Sequence, residues 1–369
     1  MQILAIDACA FDVPMRAPYR SARRVTTTAR NVLVRVTLAD GTVGFGESAP
    51  ATYVTGETQE SVLACLRRID LSAVNASGAV EEFLRANERT ISVGARSALL
   101  VAALDAQARV LGVPFYALLG THGPPVTQRV TDLSLPILLS AEAAVRAAEA
   151  ARDGFACLKI KVGGTDRTED ISRVRTVAAA APHATLRLDG NQGFTGEAAV
   201  SFLDELADLQ TRIELFEQPT PAGDEVAMAF VSARTATPVF ADESVHGPED
   251  ARRLIAGRVC RGVVLKLAKS DPLTIMDIGR AVHDAGGVCL FGCMMETRLA
   301  VTAALHIAVA LGPEIVPMLD LDGHLLVDDA ALIEGGLAQR GDMLSIDPTR
   351  AGLGARPIRF LALRQAVEA

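Results

Sequence analysis

The first third of the chain changes from one pattern of apolar and polar residues to another. Residues 31–37 are rich in β-branched residues, and Asp40-Gly41 interrupts them before a second apolar run, which predicts a β-hairpin. Between residues 57 and 119 the apolar residues recur every three or four positions, as on the buried side of helices. Residues 1–125 are therefore expected to form an α+β domain.

After residue 126 short apolar segments alternate with helical ones. We count eight candidate strands, near residues 130–135, 157–162, 185–189, 213–217, 238–242, 262–267, 287–293 and 315–319. Eight β/α units favour a (β/α)8 barrel, either complete or a modified TIM barrel short of its last helix, over an open doubly wound sheet. The predicted fold class is α/β, with the barrel over residues 126–340.

Composition excludes several classes of partner. The chain has 36 Lys and Arg against 44 Asp and Glu, for a net charge of −8, and it has no long basic run of the kind that binds nucleic acid. Apolar stretches such as 300–311 are too short or too interrupted to span a bilayer. The first residues do not have the pattern of a secretory signal. We expect a cytoplasmic protein that binds neither nucleic acid nor membranes.

Three acidic residues fall at the predicted carboxyl ends of successive strands. Asp189, Glu217 and Asp242 are 28 and 25 residues apart, close to the length of one β/α unit, so that neighbouring strands bring them to one rim of the barrel. Oxygen ligands suit Mg²⁺, and a cation relieves the repulsion between carboxylates. The alternative is three helix caps, because Asp favours that position. For all three together we favour a metal site.

Two lysines flank this trio of carboxylates. Lys161 ends the preceding strand and Lys266 ends the following one, so the two are expected to face each other across the metal. A lysine beside a divalent cation and another ammonium group loses proton affinity and can act as a general base. Lys159 lies two residues before Lys161 and points to the same side, so Lys159 is also expected at the substrate, and spacing does not decide which of the two contacts it. Alternatively, the lysines are counter-ions of the carboxylates, with Lys159 and Lys269 as companions.

The late strands add further candidates. Asp320 and Asp322 share one side of the chain, which predicts a receptor for an ammonium group; the alternative is a solvated turn before Gly323. Glu296, in GCMMETR, is expected at the substrate site and could hold or polarise a lysine. Thr131, in the first predicted barrel strand, is expected to contact substrate.

Six motifs occur in a characteristic order: LKIKVGG, LDGNQG, FEQP, ADES, LKLAKS and GCMMET. Together they resemble the muconate-lactonizing subgroup of the enolase superfamily. Residues 18–24, 44–50 and 55–58 resemble its capping domain, whose two loops close over the substrate, and residues 341–369 are expected to pack back on that domain. Two departures are Gly190, where the family usually has Ala, and Ser270-Asp271-Pro272, where relatives commonly carry Gly-Gly.

The resemblance also implies roles for the residues of the site. It implies one Mg²⁺ per subunit, held by Asp189, Glu217 and Asp242, and a homo-oligomeric enzyme. Lys161 and Lys266 would be the two acid/base residues. Asn191 and Lys269 would contact the ligands and lysines without contacting the substrate.

Asp320-Leu321-Asp322 resembles the Asp-X-Asp motif of dipeptide epimerases, in which two carboxylates hold the α-ammonium group of a dipeptide. The implied reaction inverts the α-carbon of the C-terminal residue through an enediolate, with one lysine removing a proton and the other returning one. Arg20, Arg23 and Arg24 make the first loop basic, which narrowly favours L-Ala-D/L-Glu as the substrate, with Arg24 contacting the acidic side chain.

Other reactions on the same scaffold are alternatives. N-acylamino acid racemisation, o-succinylbenzoate synthesis and muconate cycloisomerisation would keep the metal ligands and the lysines. Their substrates have no free α-ammonium group, so Asp320 and Asp322 would have no purpose. A more distant alternative is a non-catalytic barrel that binds a metal-chelated ligand, in which two opposed lysines would only repel each other.

Overall fold

The N-terminal domain begins with an antiparallel sheet. The structure is a computed structural model that describes residues 2–22, 24–77 and 79–360. Its first sheet has the order β1-β2-β3 and consists of β1 (Ile3–Arg20), β2 (Val25–Leu38) and β3 (Val43–Ser48). Asp40 accepts a hydrogen bond from the Thr42 amide at 2.9 Å, and the turn joins β2 to β3 where the hairpin is predicted. The predicted hairpin is confirmed.

Helices cover one face of this sheet. They are α1 (Gln59–Arg67), α2 (Leu71–Ala76), α3 (Val80–Ala86), α4 (Val93–Leu111) and α5 (Phe115–Leu118). Helix α4 packs directly on β3, where a Cβ atom at Gly44 or Gly46 would collide with the backbone of Ala102 or Ala98. Glycine at these two strand positions therefore lets the helix approach the sheet backbone.

The second domain is an eight-stranded parallel barrel in which neighbouring strands follow the order of the chain. The strands are β5 (Leu133–Leu135), β6 (Cys157–Lys161), β7 (Thr185–Asp189), β8 (Ile213–Glu217), β9 (Val239–Ala241), β10 (Gly262–Leu265), β11 (Val288–Gly292) and β12 (Met318–Asp320). The helices between them are α6 (Ser140–Arg152), α7 (Arg167–Ala180), α8 (Gly196–Asp204), α9 (Glu225–Arg234), α10 (Pro248–Ala256), α11 (Pro272–Asp284) and α12 (Arg298–Ile315). The four-residue helix α13 (Gly323–Leu326) comes directly after β12, in place of a full-length barrel helix. The predicted barrel, short of its last helix, is confirmed.

Two predicted strands need correction. The candidate at 130–135 is divided: β4 (Gln128–Val130) pairs with β15 (Met343–Ser345) outside the barrel, and only β5 enters it. The pairing partner changes between two adjacent residues, because the Thr131 amide donates to the Asp342 carbonyl at 2.9 Å and the Asp132 amide donates to the Leu319 carbonyl of the barrel at 3.3 Å. The candidate at 315–319 starts too early, because α12 continues to Ile315.

Helix α12 is long and apolar enough, by length and composition, to cross a membrane, but 83% of it is buried inside the protein. It contacts α5 and β3 of the first domain as well as α11 and β11 of the barrel. Near its end Gly312 has a non-helical φ of 77° and is followed by Pro313. Its burial and its contacts are typical of the core helix of a folded domain. Its length and composition are therefore only weak evidence for a membrane span.

The C-terminal residues form short strands against both domains. β13 (Ile333–Gly335) pairs with β16 (Ala355–Pro357), and β14 (Ala338–Arg340) pairs with β15. The Leu353 amide donates to Asp105 of α4 at 2.7 Å, so this segment contacts the N-terminal domain. Residues 361–369, the rest of the segment predicted to pack there, lie outside the described residues. The predicted domain boundaries stay predictions.

Candidate active site

The three predicted metal ligands lie side by side at the carboxyl ends of neighbouring barrel strands. Asp189 and Glu217 are the last residues of β7 and β8 and are paired in register, and Asp242 follows the last residue of β9. Their residues are 0%, 0% and 2% exposed. The strand order therefore brings together three buried carboxylates that are far apart in sequence.

All four lysines of the chain lie among these carboxylates. The sequence contains only Lys159, Lys161, Lys266 and Lys269, and its other basic side chains apart from histidine are arginines. The Lys161 ammonium group pairs with Asp189. Lys266 and Lys269 pair with Asp242 at 2.7 and 2.6 Å. The concentration of lysine at one place is a signal that the motif analysis missed.

The structure distinguishes Lys159 from Lys161, which spacing alone does not. Lys161 and Lys266 both line the cavity at the barrel mouth. They extend from β6 and from the end of β10, which are four strands apart in an eight-stranded barrel, so they approach the cavity from opposite sides. Lys159 is 1% exposed and lies below the cavity.

Lys159 ties three carboxylates together beneath the cavity. Its Nζ lies 2.6 Å from Asp320 Oδ2, 2.7 Å from Glu217 Oε2 and 3.2 Å from Asp189 Oδ2. Lys159 was expected to contact substrate, but the structure makes it a buried counter-ion of the cluster. The counter-ion role, which the sequence left as an alternative, therefore describes Lys159.

The protein's own charges favour charged lysines at this site. Burial disfavours an ammonium group, but the adjacent carboxylates outweigh it and raise the pKa of Lys161 and of Lys266 above the usual value. Burial likewise opposes the charge on Asp189, but Lys161 and Lys159 hold its pKa well below the usual range. The expected fall in lysine pKa is therefore not produced by the protein groups alone, because carboxylates lie nearest to each lysine.

The cluster has more carboxylates than ammonium groups. Against the four lysines stand six buried acids, namely Asp189, Glu217, Asp242, Glu243, Asp320 and Asp322. Burial and the charge of Asp189 raise the pKa of Glu217 to about 8, and burial and Asp242 raise the pKa of Glu243 to about 7. Burial is the larger cause of both shifts, and repulsion from the neighbouring carboxylate adds to it.

The ligand chemistry of the cluster fits a hard divalent cation. Oε1 of Glu217 accepts no hydrogen bond from any described residue, and it lies 3.8 Å from Lys266 Nζ. In the described part of the chain no three His, Cys, Asp or Glu side chains already converge as a metal site, and Lys159 and Lys266 lie between the carboxylates. Buried carboxylate oxygens in excess of cations are what Mg²⁺ binds.

Asp320 and Asp322 lie at the seam where the first and last barrel strands meet. They are 3% and 2% exposed, which excludes the alternative of a solvated turn. Ser134 of β5 binds both, because its amide donates to Asp322 at 2.6 Å and its hydroxyl donates to Asp320 at 3.2 Å. Burial and Asp320 raise the pKa of Asp322 to about 6. Both carboxylates line the cavity.

Thr131 lies behind the cavity wall. Its hydroxyl accepts a hydrogen bond from the Leu321 amide at 2.8 Å, so it holds the residue between the two aspartates. The structure thus gives Thr131 a positioning role in place of the substrate contact that we expected.

Glu296 is separated from the lysines. It is 1% exposed, and no ion pair among the described residues joins it to a lysine. Burial and the nearby Glu47 raise its pKa to about 8. The expected role of Glu296 in holding a lysine therefore has no contact to support it.

The N-terminal domain closes the cavity from above. Tyr19, Arg24 and Tyr53 line it, and the Arg24 guanidinium group lies 4.5 Å from the centroid of the Tyr53 ring, as in a cation–π contact. Arg20 is exposed, and Arg23 lies outside the described residues.

Among the supporting residues, Asn191 lines the cavity and donates to Glu243 at 3.4 Å. Lys269 donates to the Val264 carbonyl at 2.9 Å. The sequence analysis did not assign roles to Tyr19, Tyr53, Ser134 and Glu243. Of these, two had a local signal, because Tyr19 lies in the segment 18–24 and Glu243 follows Asp242 in ADES.

The unusual segment 270–272 has a local structural explanation. Asp271 caps α11, accepting hydrogen bonds from the amides of Leu273 and Thr274 at 3.2 and 3.1 Å, and Pro272 occupies the first turn. This departure from the family motif therefore supplies the N-terminal cap and the first residue of α11.

Comparison with known proteins gives matches over both domains. Residues 5–120 match the family model "Mandelate racemase / muconate lactonizing enzyme, N-terminal domain", and residues 142–359 match "Enolase C-terminal domain-like". The L-Ala-D/L-Glu epimerase of Bacillus subtilis strain 168 is 31% identical over 360 residues, which cover 96% of each chain.

Two solved structures are similar over nearly the whole chain. The dipeptide epimerase of Enterococcus faecalis V583, in complex with Mg and the dipeptide L-Leu-L-Tyr, has a TM-score of 0.86 at 30% identity, covering 96% of this chain and 99% of that one. The N-succinyl Arg/Lys racemase of Bacillus cereus ATCC 14579 has a TM-score of 0.91 at 26% identity, covering 100% of this chain and 98% of that one.

The arrangement of lysines predicts an order of chemical modification. A small amine-reactive reagent at limiting concentration should modify Lys161, whose side chain is 11% exposed, before Lys159, whose side chain is 1% exposed. Peptide mass spectrometry measures the extent at each lysine. In the urea-unfolded protein all four should react at similar rates. Modification of Lys159 before Lys161 in the folded protein contradicts the arrangement described above.

Proposed function

Because the chain belongs to the mandelate racemase/muconate lactonizing enzyme family of the enolase superfamily, we propose that it is a Mg²⁺-dependent dipeptide epimerase. The reaction inverts the α-carbon of the C-terminal residue of a dipeptide. The family is rich in isomerases that act on amino acid derivatives, including the epimerase from Bacillus subtilis and the racemase from Bacillus cereus.

One observation carries the choice of a dipeptide. Asp320 and Asp322 form a buried pair of carboxylates that faces the same cavity as Lys161 and Lys266. A free ammonium group is the natural partner for such a pair, because charge-assisted hydrogen bonds offset the burial of both charges. A dipeptide carries that group at one end and an acidic α-carbon proton near the other.

The two opposed lysines support inversion at carbon. When one ammonium group has lost its proton, its amine removes the α-proton from one face, and the lysine on the other side returns a proton to the opposite face. Lys159 stays charged beneath them and holds Asp189, Glu217 and Asp320 in place. Tyr19, Tyr53 and Arg24 exclude water from above.

The metal requirement rests on the same carboxylates. Mg²⁺ bound by Asp189, Glu217 and Asp242 would supply positive charge next to the substrate carboxylate, where negative charge develops as the α-proton leaves. The excess of carboxylates over ammonium groups supports this assignment, as does the Mg in the complex of the Enterococcus faecalis enzyme.

Arg24 supports an acidic side chain on the epimerised residue. No ion pair among the described residues engages its guanidinium group, which lies at the cavity against Tyr53. A glutamate side chain that reached Arg24 would gain a charge-assisted contact. We therefore propose a dipeptide with glutamate at the epimerised C-terminal position, the D/L-Glu part of the substrate named for the relative from Bacillus subtilis.

The main alternative is racemisation of an N-acylamino acid. The similarity to the N-succinyl Arg/Lys racemase of Bacillus cereus favours this second candidate. Such a substrate would use the same lysines and metal ligands, but it would bring no ammonium group to Asp320 and Asp322.

A screen for hydrogen exchange tests the proposed reaction. Pooled L,L-dipeptides incubated in D₂O with enzyme and Mg²⁺ should gain one deuteron at the C-terminal residue, which mass spectrometry detects. EDTA should abolish the exchange. Strongest exchange in X-Glu peptides supports the acidic substrate. Exchange only in other dipeptides rejects Arg24 as the selecting residue, and exchange only in N-acylamino acids rejects the dipeptide.

Single lysine variants test the two-base mechanism. Lys161→Met and Lys266→Met should each lower epimerisation by about 10²–10⁴-fold, because each removes one acid/base group. Each variant should still exchange deuterium into one of the two epimers, and the two variants should prefer opposite epimers. NMR of each pure epimer in D₂O measures this. The two-base mechanism is wrong if one variant exchanges both epimers at equal rates.

Neutralising the aspartate pair tests the ammonium receptor. The double variant Asp320→Asn, Asp322→Asn should lower kcat/KM for dipeptides at least about 100-fold, since buried charge-assisted hydrogen bonds to the ammonium group are lost. The matched control is Asp204→Asn, at an exposed position in α8, which should behave as the unmodified enzyme. Unchanged dipeptide turnover in the double variant would falsify the dipeptide assignment.

A further inference from the structure

The catalytic cavity is too small to hold a whole dipeptide. Its volume is about 50 Å³, whereas one water molecule already needs on the order of 10–15 Å³ of such volume. Room for a substrate must therefore come from the spaces that adjoin it. Two larger cavities do so, with volumes of about 800 and 510 Å³.

The two larger cavities adjoin different sides of the catalytic cavity. The 510 Å³ cavity shares Arg24 and Thr26 with it, on the side of the N-terminal domain. The 800 Å³ cavity shares Tyr19, Ser134 and Leu326 with it. We call the 800 Å³ cavity the seam cavity, because residues of β5 and of α13 line it. β5 is one of the two strands that meet at the seam, and α13 comes directly after the other, β12.

The seam cavity begins next to the aspartate pair. Ser134, which lines both cavities, binds Asp322 at 2.6 Å and Asp320 at 3.2 Å. An ammonium group held by these aspartates therefore lies close to Ser134, which lines the seam cavity. In a dipeptide the N-terminal side chain branches from the carbon that bears this ammonium group, so it starts at the same place.

We infer that the seam cavity binds the side chain of the N-terminal residue and selects a large apolar one. This inference rests on the proposed dipeptide epimerase function and adds a substrate class to it. The 510 Å³ cavity, which contains Arg24, remains for the side chain of the epimerised residue. The substrate is thus large and apolar at its N-terminal residue and acidic at its C-terminal residue.

The walls of the seam cavity favour an apolar occupant. Its lining includes Leu133, Leu135, Pro136, Leu138, Leu325 and Leu337. Several of its polar side chains already have protein partners. Arg16 donates to the Val327 carbonyl at 3.0 Å, Arg146 pairs with Glu149 at 3.8 Å, and His324 contacts Gln339.

A series of substrates that differ only at the N-terminal residue tests the inference. Ala-, Leu-, Phe- and Trp-dipeptides share the C-terminal residue that exchanges fastest in the dipeptide screen. We expect kcat/KM to be at least about tenfold higher for Leu or Phe than for Ala, because an apolar pocket discriminates by this much or more for added carbon atoms. Equal or faster turnover of the Ala dipeptide overturns the inference and leaves the epimerase function standing.

Substitution of Leu326 tests the location of the subsite. Leu326 lines both the catalytic cavity and the seam cavity. Leu326→Trp fills space where the two cavities adjoin and should lower the ratio of kcat/KM for Phe over Ala dipeptides at least about tenfold. The matched control is Leu139→Trp, at a side chain that is 66% exposed and next to α6, which should leave the ratio unchanged. A ratio that is the same in Leu326→Trp and in the control overturns the assignment.

Leu326→Ala keeps the test usable if the tryptophan variant does not fold. Shortening this side chain adds space where the two cavities adjoin and should raise the ratio of kcat/KM for Trp over Leu dipeptides. An unchanged ratio counts against the inference. If no dipeptide of any kind exchanges, the proposed function fails first and takes this inference with it, which distinguishes the two failures.

Discussion

The burial of ten charged side chains at the mouth of the barrel is the constraint on which the rest of the structure depends. Six carboxylates and four ammonium groups are all less than one tenth exposed. A buried charge is tolerated only when an opposite charge or a hydrogen-bond donor faces it. Strands β6 to β8 must therefore keep their register, because Lys161 is paired with Asp189 and Asp189 with Glu217 across the ladder. The fold holds the charges together, and the charges leave few alternative registers for the fold.

The same logic explains how the barrel closes. No strand pairing among the described residues joins β5 to β12. A backbone hydrogen bond from the Asp132 amide to the Leu319 carbonyl at 3.3 Å, together with side chains, connects them instead. Arg187 donates to Asp132 at 2.8 Å and to the Leu319 carbonyl at 2.7 Å, while Thr131 and Ser134 fix the residues around Asp320 and Asp322. A seam held by side chains can be open on its outer side, where the short α13 leaves room for the 800 Å³ cavity.

A buried glutamate attaches the N-terminal domain to the barrel. Glu47 of β3 accepts hydrogen bonds from the amides of Thr297 and Ala300 at 3.1 and 3.3 Å, which places its negative charge at the N-terminus of α12. Asn31 donates to Glu47 at 2.7 Å and to the Met295 carbonyl at 2.9 Å. Because Met295 lines the catalytic cavity, these contacts fix the covering domain in relation to the reacting groups.

The sequence by itself determined the barrel, the positions of its strands to within a few residues, and the carboxylates and lysines of the site apart from Glu243, because period and motif spacing are local properties. Family membership, inferred from six motifs, is confirmed by matches over both domains. Only the tertiary structure decided that Lys159 is a counter-ion below the cavity and that Thr131 acts through Leu321. It also revealed Ser134, Tyr19 and Tyr53, whose roles depend on contacts between residues far apart in the chain. Distances across the seam and between the domains are not encoded in any one segment, so no local pattern reports them.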